Sequence, residues 1–241
     1  FAIAEDKLGN IWIGCSNGIF KYNDVSGFTT YKTEEVFNFS ETRVLHEDAN
    51  GNIWAGTIAG LYKITDDNVE QVKLAHSKNY PNKTDEPYIR AIYQDEDGTY
   101  WFGSYGNGIF RMEEDQIINI TSQDGLFDNI VSHIVEDDHG NFWIGSNRGI
   151  FRVSRKNLND FSEGVNDEIL SYSYGTGDGM NSAETNGGFH PSTIQDSDGN
   201  IYFPTVSGVA VVSTNRIIEN DRVPLVYIEQ IRSNTFDYSQ K

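Results

Sequence analysis

One cysteine, Cys15, leaves no internal disulfide and no thiolate cluster for a metal. Lysine and arginine are scarce: 18 stand against 36 acidic residues, for a formal net charge of −18. Nucleic acid and anionic lipid surfaces are both bound through Lys and Arg, so no nucleic acid is expected as a partner. The acidic excess has a plainer source in turns rich in Asp. No run of 18 apolar residues occurs, which excludes a helical membrane span, and no membrane contact by this chain is expected. Proline is sparse, at five residues, and few stretches carry the 3.6-residue apolar spacing of a helix. What is abundant, 23 Gly and 13% aromatic residues, leans towards β structure. An initiator Met and a signal-peptide pattern are both absent, because the chain opens at Phe1 inside a repeat; the missing leader therefore says nothing about compartment.

That repeat occurs five times. Aligned on a shared aspartate, the copies are IAEDKLGNIWIGCSNGIF (3–20), LHEDANGNIWAGTIAGLY (45–62), IYQDEDGTYWFGSYGNGIF (92–110), IVEDDHGNFWIGSNRGIF (134–151) and TIQDSDGNIYFPTVSGVA (193–210). The aromatic marker falls at Trp12, Trp54, Trp101, Trp143 and Tyr202, in steps of 42, 47, 42 and 59 residues. Such a period means stacked supersecondary units, none of which can bury its apolar face alone.

Within a copy the pattern alternates as a strand does and then breaks at Gly-containing turns. In the fourth, VSHIVED is a first strand, Asp138-His139-Gly140 a tight turn, NFWIGS a second strand, and GIFRVS a third. Elsewhere a fourth β-prone run follows: FTTYKT (28–33), VEQVKL (69–74) and QIINIT (116–121). Four antiparallel strands at this period make the blade of an all-β β-propeller. Leucine-rich repeats need a shorter period and helical repeats a different patterning. Blades are expected over residues 1–222, with 223–241 opening another domain. Antiparallel connectivity puts the second-to-third turns and the fourth-to-first connections at one end of the blades. The length variation, five extra residues within 74–88 and seventeen within 154–191, is assigned to that end, where insertions mark a binding face. Ser154 is expected to cap a short helix starting near Arg155 and stopping at Gly164.

The recurring residues read as scaffold. The Trp positions serve blade packing, and the Asp beside each turn accepts backbone N–H groups. Cys15 stands where other copies have Thr57, Ser104, Ser146 and Thr205, as a small side chain in a hydroxyl's place. Asp95-Glu96-Asp97-Gly98 and Asp196-Ser197-Asp198-Gly199 lack the later acidic ligand of a calcium loop, so no metal site is expected.

GNIWIGCSNGIFKYN and GNFWIGSNRGIFRVS resemble the repeats of two-component regulator propellers, the sensor regions of Bacteroidetes-type hybrid histidine kinases. SYGTGDGMNSAETNGGF with DGNIYFPTVSGVAVV is similar to the closing repeat of such propellers, and VPLVYIEQIRSN to the start of the triple-tyrosine, immunoglobulin-like domain that follows them. The resemblance implies a periplasmic sensor without catalysis or cofactor, an oligosaccharide ligand and a homodimeric receptor. Relatives typically carry seven blades; the five copies read as the C-terminal part of such a propeller, although five blades can also close on their own. Ligand candidates are the polar and aromatic residues of the variable face: Arg43, Tyr88, Arg90, Tyr105, Asn107, His133, Asn147, Arg148, Glu184, Asn186 and His190. Sugars bind through planar polar groups beside aromatic rings, and acidic sugars add a need for Arg. The rival readings are a lyase of streptogramin or polysaccharide type, also built on a propeller, with His133, His190 and Glu184 as the set the long loop would assemble, and a purely structural dimerisation module.

Overall fold

The computed structural model describes residues 1–31, 41–66, 68–74 and 85–217, with two short pieces at 230–232 and 237–239. Blade 1 is β1 (Ala2–Glu5), β2 (Ile11–Cys15), β3 (Gly18–Asn23) and β4 (Gly27–Tyr31); blade 2 is β5 (Thr42–Glu47), β6 (Ile53–Thr57), β7 (Gly60–Thr65) and β8 (Asn68–Val72). Blade 3 comprises β9 (Ile89–Gln94), β10 (Tyr100–Ser104), β11 (Ile109–Glu113) and β12 (Gln116–Ile120). Blade 4 comprises β13 (His133–Glu136), β14 (Asn141–Gly145), β15 (Ile150–Ser154) and β16 (Ser171–Tyr174), with helix α1 (Arg155–Ser162) before its last strand. The fifth sheet has three described strands, β17 (Ile194–Gln195), β18 (Asn200–Thr205) and β19 (Gly208–Ser213), one fewer than the repeat predicts. Every sheet is an antiparallel meander. The first strands β1, β5, β9 and β13 touch in succession and so surround the axis.

Four apolar cores join the five blades. Trp12 lies in the core between blades 1 and 2, Trp54 between 2 and 3, Trp101 between 3 and 4, and Trp143 between 4 and 5. Each Trp thus covers the face its blade turns to the next one. The Gly two residues on has a steric reason. A Cβ on Gly103 would meet Val131 Cγ1 at 2.4 Å, and one on Gly56 would meet Val44 Cγ1 at 2.5 Å and Ile89 Cγ2 at 2.6 Å. The second strand presses on a first strand at that point, and only a hydrogen fits. The outer faces of the end blades carry exposed apolar side chains: Ile3 and Phe28 on blade 1, and Ile194, Val209 and Val211 on blade 5. Near the axis, however, residues 189–191 reach back to blade 1, where Ile3 N–H donates to His190 O at 3.0 Å and His190 N–H to Phe1 O at 3.1 Å.

The shared Asp does more than hold its turn. Asp95 Oδ1 accepts the backbone N–H groups of Asp97 and Thr99, while Oδ2 accepts Trp101 Nε1–H at 2.9 Å. The same clamp joins Asp6 to Trp12 (2.8 Å), Asp48 to Trp54 (2.9 Å), Asp137 to Trp143 (2.7 Å) and, through a phenol, Asp196 to Tyr202 (2.9 Å). Burial raises the pKa of Asp48, but hydrogen bonds from Asn52, Trp54 and Tyr100 outweigh it and hold this carboxyl below its ordinary value. At the opposite end of the second strand, Thr57, Ser104, Ser146 and Thr205 each donate a hydroxyl to the carbonyl of the turn's Gly. Cys15 occupies that position in blade 1.

The long insertion of blade 4 divides between the two ends, which corrects its assignment to one face. Ser154 ends β15 and caps α1 directly, accepting from Asn157 N–H, so the helix lies between the third and fourth strands at the Asp-turn end. Arg155 fixes it there, pairing with Glu136 at 2.7 Å and with Asp97 at 2.7 Å in the turn of blade 3. Gly164 follows in the left-handed conformation. Only the remainder, from Tyr174 to Thr193, is a fourth-to-first connection. The five-residue expansion before the third repeat lies largely outside the described residues. So does most of the expected immunoglobulin-like opening at 223–241, of which β20 (Gln230–Arg232) and β21 (Asp237–Ser239) pair antiparallel.

Candidate functional site

The end of the blades away from the Asp turns is where the first strands begin. Here the residue thirteen places before the close-packed Gly is not constant: Phe1, Arg43, Arg90 and Ser132 precede Gly14, Gly56, Gly103 and Gly145. In blades 2 and 3 the register slips at this point. Thr42 pairs Thr57 and Val44 pairs Gly56, leaving Arg43 bulged; Ala91 pairs Gly103 and Ile89 pairs Ser104, leaving Arg90 bulged. A bulge breaks the strict alternation of side chains and re-aims the one it carries. Both arginines are thereby turned onto the aromatic residues of the rim.

The result is a ladder of rings and guanidinium groups. Phe189 stacks on Phe1 with centroids 6.0 Å apart, and Arg43 lies 4.6 Å from the Phe1 centroid and 6.0 Å from that of Tyr88. Arg90 lies 5.2 Å from the Tyr88 centroid and 4.5 Å from that of Tyr105, and the two tyrosine rings are 5.6 Å apart. Backbone pairing supports the tyrosines, because Tyr105 N–H donates to Tyr88 O at 2.8 Å. Phe1, Tyr105 and Phe189 are 42%, 43% and 56% exposed, so the ladder presents ring surface to solvent. Arg43 also pairs with Glu41 and donates to Gly188 O at 3.2 Å. Arg90 donates to Ser132 Oγ at 3.4 Å and has no carboxylate partner among the described residues.

Below the ladder, on the axis, lies a cavity of about 80 Å³, lined by Arg90, Ser132, His133, His190, Ser192 and Thr193 with apolar neighbours. His133 is 7% exposed, and its Nε2 meets Ser192 Oγ at 2.6 Å. Burial depresses its pKa to about 3, with the positive charge of Arg90 and the nearby His190 adding to the effect. His190 is lowered to about 4 by burial and by His46. Both imidazoles are therefore neutral at pH 7.

Of the sequence candidates, Arg43, Tyr88, Arg90, Tyr105, His133 and His190 come together here. Asn107 stands in the turn that carries Tyr105, where its backbone bonds Ser104 Oγ and Asn119 Nδ2. Asn147 and Arg148 sit in the corresponding turn of blade 4, with Arg148 over the ring of Phe127 at 4.9 Å. Glu184 and Asn186 are exposed and held through their backbones, Glu184 by Ser182 Oγ and Val206 N–H and Asn186 by Pro204 O. Among the described residues Glu184 pairs with neither histidine, so of the lyase set His133 and His190 share one cavity and Glu184 stands apart. Phe1, Phe189, Ser132, Ser192 and Thr193 were absent from the sequence candidates. The constant offset of thirteen from the close-packed Gly is the signal that finds Phe1 and Ser132.

The description "Two component regulator propeller" belongs to the family model that matches residues 84–106 and 125–148. No curated protein matches the chain. Among solved structures, the chain is similar to the extracellular domain of a protein described as a hybrid two component system from B. thetaiotaomicron, with 20% identity and a TM-score of 0.55, covering 95% of this chain and 35% of that one. It is also similar to PorZ, a surface component of the type-IX secretion system of Porphyromonas gingivalis (19% identity, TM-score 0.64, 89% of this chain and 32% of that one). A third likeness is to virginiamycin B lyase from Staphylococcus aureus (15% identity, TM-score 0.61, 88% of this chain and 69% of that one). At these identities the likenesses establish the fold, and the chain spans about a third of the length of the first two. The five Asp–Trp or Asp–Tyr clamps and the four inter-blade cores make this chain a β-propeller, and two of its stretches are similar to two-component regulator propeller repeats.

Proposed function

We propose that this chain is the ligand-sensing propeller of a two-component regulator, working outside the cytoplasm in a homodimeric receptor, and that it binds an oligosaccharide without catalysing a reaction. The family match and the fold shared with an extracellular two-component domain support the sensing role. The ligand class rests on one observation, the exposed ladder of Phe189, Phe1, Tyr88 and Tyr105 with Arg43 and Arg90 set between the rings. Sugar rings lay their C–H faces on aromatic surface and give their hydroxyls to planar, multiply donating groups such as guanidinium. Catalysis as a lyase needs a positioned base and a matching acid. The neutral histidines offer the first, and Glu184 is not in place as the second.

A glycan array followed by calorimetric titration tests the reading. An oligosaccharide that binds the native protein is expected to lose at least about tenfold in affinity on Tyr105→Ala. Binding indifferent to Tyr105, or release of a new product from the bound glycan, overturns it.

A further inference from the structure

We propose that the axial cavity beneath the ladder is an anion subsite, built for the carboxylate or sulfate group of an acidic sugar and centred on Arg90, Ser132, His133 and Ser192. The inference rests on the oligosaccharide reading above and makes it specific.

Charge is the first argument. The chain has twice as many acidic as basic residues, yet among the described residues no Asp or Glu lines this cavity. Arg90, bulged out of β9 towards it, has among the described residues no carboxylate partner such as Arg43 has in Glu41. A guanidinium partly withdrawn from water without a counter-charge is costly, and a ligand oxyanion removes that cost.

Orphaned polar atoms are the second argument. Arg90 Nε, His133 Nδ1, His190 Nδ1 and Thr193 Oγ1, all on residues that line the cavity, are buried without a hydrogen-bond partner. Buried polar groups are almost always satisfied, so orphaned atoms on four residues that line one small space point to a missing partner. His133 meets the cavity's Ser192 through Nε2, 2.6 Å from Ser192 Oγ, a bond in which either atom can donate. Ser132 Oγ, held by Arg90 NH1, and Thr193 Oγ1 supply hydroxyls. About 80 Å³ accommodates a carboxylate or sulfate group but not a sugar ring, which leaves the ring on the exposed aromatics above. Neutral hydroxyl donors and one fixed positive charge suit a diffuse oxyanion.

Calorimetric titration at constant ionic strength tests this with four probes: an O-sulfated disaccharide, its unsulfated parent, a glucuronate-containing disaccharide, and inorganic sulfate. The expected result is at least about tenfold tighter binding of a charged disaccharide than of its neutral parent, and Arg90→Gln bringing the two to the same affinity. Which charged disaccharide binds tighter identifies the group. The comparison on native protein needs no variant, so a poorly folded Arg90→Gln does not spoil it; its melting temperature is measured alongside. Equal binding of charged and neutral disaccharides, both lost on Tyr105→Ala, overturns the anion subsite and leaves the oligosaccharide reading intact. Binding of inorganic sulfate alone, lost on Arg90→Gln, leaves the subsite and overturns the sugar. Binding of none of the four overturns both.

Discussion

The two ends of each blade are built from opposite chemistry. At the turn end the same acidic clamp recurs, an Asp holding its turn and a Trp or Tyr side chain, and every member has its partner. At the rim the equivalent position holds Phe1, Arg43, Arg90 and Ser132 in turn; Phe1 is exposed, and Arg43 and Arg90 each keep a buried Nε without a partner. Repetition follows from a demand that every blade shares, which is to pack against the next one. A ligand makes no such periodic demand, so the residues that meet it are free to differ. The difference teaches where to look in a repeat protein: at places the scaffold fixes but does not fill.

Changes at the two ends should separate stability from binding. The largest effect is expected for Trp101→Ala, which empties a fully buried site between blades 3 and 4 and should cost about 3–5 kcal/mol in chemical denaturation. Asp95→Ala should cost on the order of 2 kcal/mol, because it leaves Trp101 Nε1–H and two backbone N–H groups without an acceptor. Neither change should alter the preference among ligands at the rim.

Acid provides a third probe. His133 has a folded pKa of about 3 against an unfolded value of about 6.5, so above pH 6.5 it makes no difference to stability. As pH falls below 6.5 the unfolded chain takes up the proton first, and stability should drop by up to ~1.4 kcal/mol per pH unit until the folded pKa is reached. His133→Gln should flatten that part of the profile relative to the native protein, as followed by denaturation midpoints between pH 7 and pH 4. An unchanged slope would show that His133 is not buried as described. The smallest stability effect belongs to Tyr105→Ala, which should stay within about 0.5 kcal/mol because the ring is nearly half exposed. A loss comparable to that of Trp101→Ala would erase the contrast between the ends.

The fold was legible because the pattern repeats. Trp, Gly and Asp at constant spacing carry the strand, the close approach and the turn, and the structure confirms the scaffold role of each. One link stayed hidden: the Asp and Trp six residues apart were read as separate devices, and only the pairing of first and second strands shows that they bond. The placement of α1 was hidden for a similar reason. Its capping Ser154 was readable, but whether the insertion belonged before or after the fourth strand depended on Ser171–Tyr174, a short polar run with no apolar alternation.

The site was legible only in part. Arg43, Tyr88, Arg90 and Tyr105 could be named as polar or aromatic residues of one face, but their assembly depends on two bulges that no residue pattern announces. His133 and His190 meet because residues 187–191 cross to blade 1, a path set by contacts from distant blades. Glu184 and Asn186 lie in the same loop, yet their backbones are held against blade 5, with Thr185 between them bonded to blade 4, and both residues are exposed.

Amide hydrogen exchange with and without a bound oligosaccharide tests the division between the ends most directly. The account predicts new protection at residues 88–90, at Tyr105 and across 187–193, with the Asp turns at 95–99 and 137–141 unchanged. Protection confined to those turns, with the rim exchanging as before, would contradict it.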